Sequence, residues 1–282
     1  MKQFIANTIK SVLGNAEYLI KRYPYSANEL VVVCMHSTPT DRVEDFENLV
    51  LRLTKFFRPF SPDNVEDYFA NKTNYNDGPY ILFTFDDGLQ NNLNAGKVLQ
   101  KLGISGLFFV IPDFIQSDDQ PTFYRTNIRP CIDYDIDHEP EDVSAMGISD
   151  LSRMLEMGHV IGSHTMTHTL SNAMDSESVT QEVCDSERWL REKLGQKIAA
   201  FASPNNTAIS VNAECAKVIS HTYPLHYTTF PGLNIETDAQ MIYRRNIEVF
   251  WSSGKIKYAM GLWDLRRWKA ASRLFQLEVL HR

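Results

Sequence analysis

The sequence has few cysteines, no long apolar run and no excess of positive charge. Its four cysteines lie far apart and form no Cys-x-x-Cys pair, which argues against a disulfide framework or a zinc knuckle and is typical of a reduced, cytosolic protein. No stretch approaches the run of about 18 apolar residues that a membrane-spanning helix needs. The formal net charge of −7 argues against a protein that binds nucleic acid.

Short apolar runs alternate with helical patterns along most of the chain, whose 43% hydrophobic and 22% charged residues are typical of a soluble globular protein. The strand–helix unit repeats about six or seven times, which predicts parallel strands joined by helices in an α/β barrel or an open α/β sheet. No repeat or linker divides this pattern. We therefore predict one main domain over residues 30–250, with an amphipathic helix in residues 1–29 and a basic amphipathic helix in residues 251–282.

One apolar run ends in two adjacent carboxylates. Residues 80–88 read Tyr-Ile-Leu-Phe-Thr-Phe-Asp-Asp-Gly, and the apolar part lacks helical spacing, which predicts a buried strand. Enzymes of the α/β class build their sites at the carboxyl ends of strands, where Asp86 and Asp87 would lie. Successive strand residues point to opposite faces, so both carboxylates reach one cleft only if the strand end twists. Asp-Asp-Gly alone is more often a turn.

Two further predicted strands end in histidine. The run over residues 30–35 leads to His36, and the run over residues 159–162 leads to His164 and His168. His-x-x-x-His places two imidazoles on one face of a helical turn, and with one carboxylate they make a metal site that leaves positions for water and substrate. Alone, such a pair is equally consistent with a polar surface. Together with a strand that ends in Asp-Asp, it favours a metal site.

Two of these motifs together resemble a known family. Residues 84–88 (Thr-Phe-Asp-Asp-Gly) and residues 164–168 (His-Thr-Met-Thr-His) are similar to the first two motifs of polysaccharide deacetylases, carbohydrate esterase family four, also called the NodB-homology domain. The resemblance covers roughly residues 30–250. It implies a distorted (β/α) barrel of about seven parallel strands, with our predicted terminal helices outside it. It also implies a hydrolase that removes acetyl groups from saccharides with a divalent metal.

The resemblance implies roles for individual residues. Asp87, His164 and His168 would bind the metal, with zinc the first choice and cobalt or nickel as alternatives, and Asp86 would be the general base. Residues 201–205 resemble the third motif, so Pro204 and Asn205 would contact substrate or its oxyanion. In that motif Ser203 replaces the usual aromatic residue and Asn206 replaces the usual glycine.

The usual Leu-x-His motif is missing from the C-terminal half, where we interpret His221 and His226 as surface residues. In a subset of the family this motif is permuted to the N-terminus, and Met35-His36 resembles that form. His36 would then be the general acid. Arg245, or alternatively Arg244, would be the arginine that orients the catalytic aspartate.

Two segments have open interpretations. Residues 112–147 are an acidic insertion, which is either a solvated surface loop or a lid over the site. Residues 254–282 carry seven Lys or Arg against two acids, mixed with Trp and Leu. A helix of this kind either packs on the barrel or makes peripheral contact with a membrane. No secretory signal is recognisable, so we expect the protein in the cytoplasm, with the inner face of the membrane as an option.

We therefore expect a metal-dependent hydrolase that removes an N-acetyl or other N-acyl group from an amino sugar, in the biosynthesis of a bacterial surface polysaccharide or glycolipid. Its partner would be a saccharide and not a nucleic acid. The alternatives are a de-N-formylase, an O-acetyl esterase, or an inactive relative that binds glycans. A glycosidase with two carboxylates would leave the histidines unexplained.

Overall fold

The computed structural model of the protein describes residues 2–21, 23, 25–132, 142–171, 173–205, 211–261 and 273. Within these residues eight strands form one sheet: β1 (Leu30–Met35), β2 (Arg58–Pro59), β3 (Tyr80–Phe85), β4 (Leu107–Val110), β5 (Val160–Ser163), β6 (Ala200–Ala202), β7 (Leu225–Tyr227) and β8 (Arg244–Asn246).

The sheet curls into a nearly closed barrel of seven parallel strands, which confirms the predicted fold class. The strands follow the order β7–β6–β5–β4–β3–β1–β8, and the short β2 pairs with β3 beside this path. A parallel bridge between Tyr227 and Ile242 brings the two ends of the sheet together. The first strand thus lies between β3 and the last strand, with Val32 opposite Arg244.

Helices surround the barrel. In the part of the chain that the structure describes they are α1 (Lys2–Lys21), α2 (Val43–Leu53), α3 (Val65–Ala70), α4 (Asn92–Lys101), α5 (Pro112–Gln116), α6 (Gln120–Phe123), α7 (Ile148–Glu156), α8 (Ser176–Thr180), α9 (Ser186–Leu194), α10 (Ala213–Thr222) and α11 (Ser253–Ala259). A π-helical turn, Gln181–Asp185, joins α8 to α9, and α9 ends at Gly195 in the left-handed conformation. No helix among these is both long enough and apolar enough to cross a membrane.

The strands are continuously apolar because both of their faces are covered. All six residues of β1 are buried, and alternate ones serve different clusters. Leu30 and Val32 lie in the cluster inside the barrel, whereas Val31 and Val33 lie in the larger cluster beneath the surrounding helices. Burial on two sides leaves the strand ends as the place where polar side chains can meet a cavity.

The two terminal helices pack against each other. Gly14 of α1 lies so close to α11 that an added Cβ would stand 2.2 Å from the carbonyl oxygen of Gly254. Small residues are therefore required on both helices at this crossing. Helix α1 lies within residues 1–29, and α11, which ends at Ala259, lies within the segment 251–282; the predicted division of the chain into these segments stays a prediction. Most of the basic tail, residues 262–272 and 274–282, lies outside the described residues.

The beginning of the insertion is folded rather than loosely solvated. Phe114, Tyr124 and Ile128 are fully buried and form a third apolar cluster with Leu89. The most acidic stretch, residues 133–141, lies outside the described residues, so the prediction for it stays open. The described part forms one wall of the cavity at the mouth of the barrel.

Candidate active site

A cavity of about 550 Å³ opens at the carboxyl ends of the barrel strands. It brings together side chains from β1 and β8, from the loops that follow β1, β3, β5, β6 and β7, and from the segment at Cys131 and Ile132. The lining residues are Cys34, His36, Asp86, Asp87, Cys131, Ile132, His164, His168, Ser203, Asn205, Thr229, Arg244 and Asn246.

The end of β3 turns sharply, and this turn brings two neighbouring carboxylates into one cavity. Asp87 and Gly88 have φ angles of 72° and 70°, in the left-handed region. An extended strand would have sent Asp86 and Asp87 to opposite faces. Gly88 also packs on Val110, where an added Cβ would stand 2.9 Å from the valine side chain. The glycine of the Asp-Asp-Gly sequence is thus needed for both its conformation and its small size.

Asp87, His164 and His168 form a compact set in which one possible ligand atom of each lies within 4.8 Å of the others. The Nε2 atoms of His164 and His168 lie 3.6 Å and 3.3 Å from Asp87 Oδ1. On the opposite side of each ring, Nδ1 donates to a backbone carbonyl, at 2.8 Å from Ala202 O and 2.7 Å from Asn127 O. Since a carbonyl only accepts, each Nδ1 carries a proton, and Nε2 is the ring atom left to bind a metal. Burial alone would lower the pKa of His168, but its hydrogen bond with Asp87 raises that pKa to about 10, so a cation would have to displace the Nε2 proton of this ring.

The chemistry of this set fits a bound divalent cation. Asp87 Oδ2 is buried and has no hydrogen-bond partner among the described residues. Burial lowers the pKa of His164 to about 4, so its imidazole is in the neutral form that binds metals. Burial alone would raise the pKa of Asp87, but the hydrogen bond and charge of His168 hold it below its usual value. The cluster is a candidate metal site.

The segment that carries the two histidines is a loop and not the helical turn that we predicted. Thr165 and His168 have φ angles of 68° and 65°, which an α-helix does not allow. Glu182 holds the loop instead. Its carboxylate accepts hydrogen bonds from the backbone N–H groups of Met166 and Thr167, at 3.0 and 2.9 Å, and from Thr167 Oγ1 at 2.7 Å. Glu182 was not predicted as a site residue from the sequence.

Asp86 is held by Arg244, not by Arg245. Arg244 Nη1 donates to Asp86 Oδ1 at 2.6 Å, and Arg244 Nε donates to the carbonyl of Thr228 at 3.0 Å. Burial alone would raise the pKa of Asp86, but the buried Arg244 guanidinium holds it well below its usual value. The carboxylate is therefore ionised.

The prediction that Arg245 contacts Asp86 is wrong, because neighbouring strand residues point to opposite faces. Arg245 Nη1 donates to the carbonyls of Ala259 and Gly261, at 2.9 and 3.1 Å. It ties the end of α11 to the barrel and stays outside the cavity. The alternative named from the sequence, Arg244, is the residue that contacts Asp86.

His36 lies in the cavity beside a buried carboxylate that the sequence analysis missed. Its Nδ1 atom is 2.6 Å from Glu248 Oε1. Burial alone would lower the pKa of His36, but the charge and hydrogen bond of Glu248 raise it to about 9. Glu248 follows Arg244 and Asn246 at alternate positions. This spacing was a signal that could have placed Glu248 on the cavity side.

The loop after β6 is held by a buried histidine. Asn205 lines the cavity with a φ angle of 58°, and Pro204 is buried beside it. Ser203 Oγ contacts His226 Nε2 at 2.5 Å. His226 is 1% exposed, so the predicted surface position is wrong for it, whereas His221 is exposed. Burial lowers the pKa of His226 to about 3, and it supports the loop as a neutral ring. Asn206 lies outside the described residues.

The barrel and its His/Asp cluster define an α/β protein with a candidate metal site at the carboxyl ends of its strands. The sequence matches the family described as polysaccharide deacetylase over residues 73–230, more than half of the chain. The chain belongs to this family. No curated protein matches the sequence.

Solved structures share the fold at low sequence identity. IcaB from Ammonifex degensii has a TM-score of 0.64 and 22% identity, over 84% of this chain and 99% of its own. The Streptococcus pyogenes deacetylase PplD, in complex with acetate, has a TM-score of 0.63 and 17% identity, over 82% and 98%. A de-N-acetylase from Aggregatibacter actinomycetemcomitans has a TM-score of 0.59 and 14% identity, over 82% and 99%. The similarity to these three structures extends beyond residues 73–230.

Proposed function

We propose that the protein is a metal-dependent hydrolase that removes an N-acetyl group from an amino sugar of a bacterial surface polysaccharide or glycolipid. The observation that carries this proposal is that one group able to accept a proton and one group able to donate a proton lie beside the same three possible metal ligands. An ionised carboxylate, Asp86, and an imidazole with a raised pKa, His36, both face the cavity that contains Asp87, His164 and His168.

The three ligands would hold zinc most readily, with cobalt or nickel as substitutes, because two imidazole nitrogens and one carboxylate suit these ions. Such a cation would supply Lewis-acid polarisation of the acyl carbonyl and of the attacking water. The residues around it do the remaining work of binding, orientation and proton transfer.

Asp86 is the general base in this proposal. It accepts the proton of the attacking water, and Arg244 keeps the carboxylate ionised and correctly oriented for that step. Asn205 and Pro204 form the neighbouring wall, where the acyl group would lie. The positive φ of Asn205 turns the chain at this wall.

His36 is the general acid in this proposal, because Met35-His36 resembles the form of the family motif that is permuted to the N-terminus. An amine leaves only if it is protonated during departure, whereas an alcohol depends on this step much less. Glu248 favours the protonated imidazole of His36, which supports an amide substrate over an ester.

The test combines metal content with product release. Protein stripped with chelator would be reloaded with zinc, cobalt or nickel and assayed for acetate release from an N-acetylhexosamine oligomer. We expect about one metal per chain, loss of metal and activity in His164→Ala, and retained metal without activity in Asp86→Asn. The same sugar with an O-acetyl group in place of the N-acetyl group serves as the substrate that tests for O-acetyl esterase activity.

Other outcomes select among the alternatives. Release of formate from N-formyl substrates, with no acetate, would make the protein a de-N-formylase. Metal binding without any acyl release would favour an inactive relative that binds glycans, although the five proposed catalytic and ligand side chains line one cavity. A wild-type protein that binds no metal under any of these conditions would refute the proposal.

A further inference from the structure

A long groove runs between α2 and α11 on the outside of the barrel. It consists of two hollows, of about 730 and 310 Å³, which share the residues Arg52, Lys55 and Ser253. We call it the α2–α11 groove. Its other lining residues are Tyr18, Tyr23, Arg42, Asp45, Asn48, Leu49, Leu51, Leu53, Phe56, Val249, Phe250, Trp251, Ile256 and Lys257.

The groove is basic on a molecule whose formal net charge is −7. Among the described residues that line it, the one acid is Asp45, which is paired with Arg42 at 3.1 Å. Arg52 and Lys55 are exposed, and within the described residues neither forms an ion pair or a hydrogen bond through its side chain. Lys257 adds a third positive charge, with its Nζ atom 3.0 Å from Asn15 Oδ1. The lining therefore suits a negatively charged partner.

Apolar side chains stand beside these charges. Leu51 and Phe56 are 42% and 37% exposed, next to Arg52 and Lys55 in sequence. Phe56 also contacts Tyr18 and Tyr23, with ring centroids 6.0 and 5.3 Å apart. Exposed apolar and aromatic residues mixed with unpaired cations are typical of surfaces that lie in the headgroup region of a membrane.

The charges decide between the possible occupants. The tail after residue 261 is itself basic, with Arg266, Arg267 and Lys269, so it would be repelled by Arg52 and Lys55. A second copy of this acidic chain would have to present its own acids and an apolar partner surface together. An anionic phospholipid surface supplies both phosphate charge and an apolar layer.

The position of the groove connects it with the active site. Val249 and Phe250 line the larger hollow of the groove. They directly follow Glu248, whose carboxylate contacts His36. We infer that the α2–α11 groove docks the protein on an anionic phospholipid surface, with the active-site cavity close to that surface. The saccharide would then be reached while attached to a lipid, a conclusion that rests on the proposed deacetylase function, whereas docking itself does not.

Flotation with vesicles tests the docking without any substrate. The full-length protein would be mixed with vesicles of phosphatidylcholine, with or without one third phosphatidylglycerol. The variant is Arg52→Gln combined with Lys55→Gln, and the control is Lys197→Gln combined with Lys217→Gln, two exposed lysines outside the groove with the same loss of charge.

We expect wild type and control to float with the anionic vesicles only, and the partition coefficient of the groove variant to fall about 30-fold, as expected for two cations near an anionic surface. Acetate release from a soluble oligomer should be the same in all three proteins, which separates failed docking from failed catalysis. Equal flotation of groove variant and control, or no flotation of wild type, would overturn the inference. Concentration-dependent dimerisation of wild type that the groove variant loses would instead assign the groove to a second copy.

Discussion

At the scale of single residues, alternation along one short strand decides which side chains reach the active site. Arg244 and Asn246 line the cavity and Glu248 reaches His36 behind its wall, whereas Arg245 turns to the outside and binds the end of α11. Two adjacent arginines therefore have unrelated tasks. Arg244 holds the carboxylate of Asp86, the proposed general base, in its ionised form, and Arg245 binds the end of α11 to the barrel.

Replacing the two arginines separately should produce different defects. Arg244→Gln removes the partner of Asp86, and we expect kcat/KM to fall by about 100-fold or more, with metal content retained. Arg245→Gln removes hydrogen bonds to Ala259 and Gly261, and we expect it to lower stability by about 1–3 kcal/mol with kcat/KM nearly unchanged. Kinetics and thermal melts of both variants provide the check. The reverse pattern would contradict the assignment of Arg244.

Glu248 should control the pH range of activity. As the proposed general acid, His36 must be protonated to act, so we expect activity to fall as pH rises through the pKa of His36, which Glu248 raises. Glu248→Gln removes the charge and should move the alkaline limb of the kcat/KM profile to lower pH. The profile would be measured from about pH 5 to 10 beside Glu192→Gln, an exposed control. An unmoved alkaline limb would show that another group is the acid.

At the scale of elements, the loop with the two histidines depends on a helix that follows it in sequence. Glu182 lies in the π-helical turn between α8 and α9 and holds three donors of Met166 and Thr167. Glu182→Gln should weaken metal affinity by about 10- to 100-fold, as expected when groups behind the ligands are lost. Competition with a chromogenic chelator measures this affinity. Glu192→Gln, an exposed position of α9, should leave it unchanged.

The contact between α1 and α11 should also contribute to stability. Gly14→Ala introduces a methyl group where the Gly254 carbonyl oxygen already lies, and we expect a loss of about 1–3 kcal/mol of unfolding free energy. Ala16→Ser, exposed on the same helix, is the control. Urea unfolding of both variants gives the comparison. Equal unfolding midpoints would mean that α1 can move away from α11 without loss of unfolding free energy.

Elements and motifs were predictable to different degrees. Continuous apolar runs revealed β1 and β3 because both strands are buried on two sides, and the polar residues after these runs revealed His36 and Asp86. Glu182 and Glu248 were missed because their contacts span about 15 and more than 200 residues of chain. The alternate spacing after Arg244 indicates the face on which Glu248 lies, but no local pattern identifies its partner His36. The burial of His226 likewise arises from packing between β6 and β7.

At the scale of the whole molecule, a preassembled ligand set should couple metal binding to stability. Zinc at about 100 times its dissociation constant should add about 2.7 kcal/mol to the unfolding free energy, which corresponds to a rise of a few degrees in Tm for a chain of this size. Differential scanning calorimetry with and without chelator measures the shift. His168→Ala should show no shift, and a shift that persists in this variant would place the metal elsewhere.

The position of β1 between β3 and β8 has a consequence for synthesis on the ribosome. The strand that carries His36 emerges early, yet one of its two neighbours is made more than 200 residues later. Arg244 and Glu248, the partners of Asp86 and His36, arrive with that late strand. A nascent or prematurely ended chain that lacks this strand therefore has Asp86 and His36, the proposed proton-transfer groups, without their partners, and we expect it to be inactive until β8 pairs with β1.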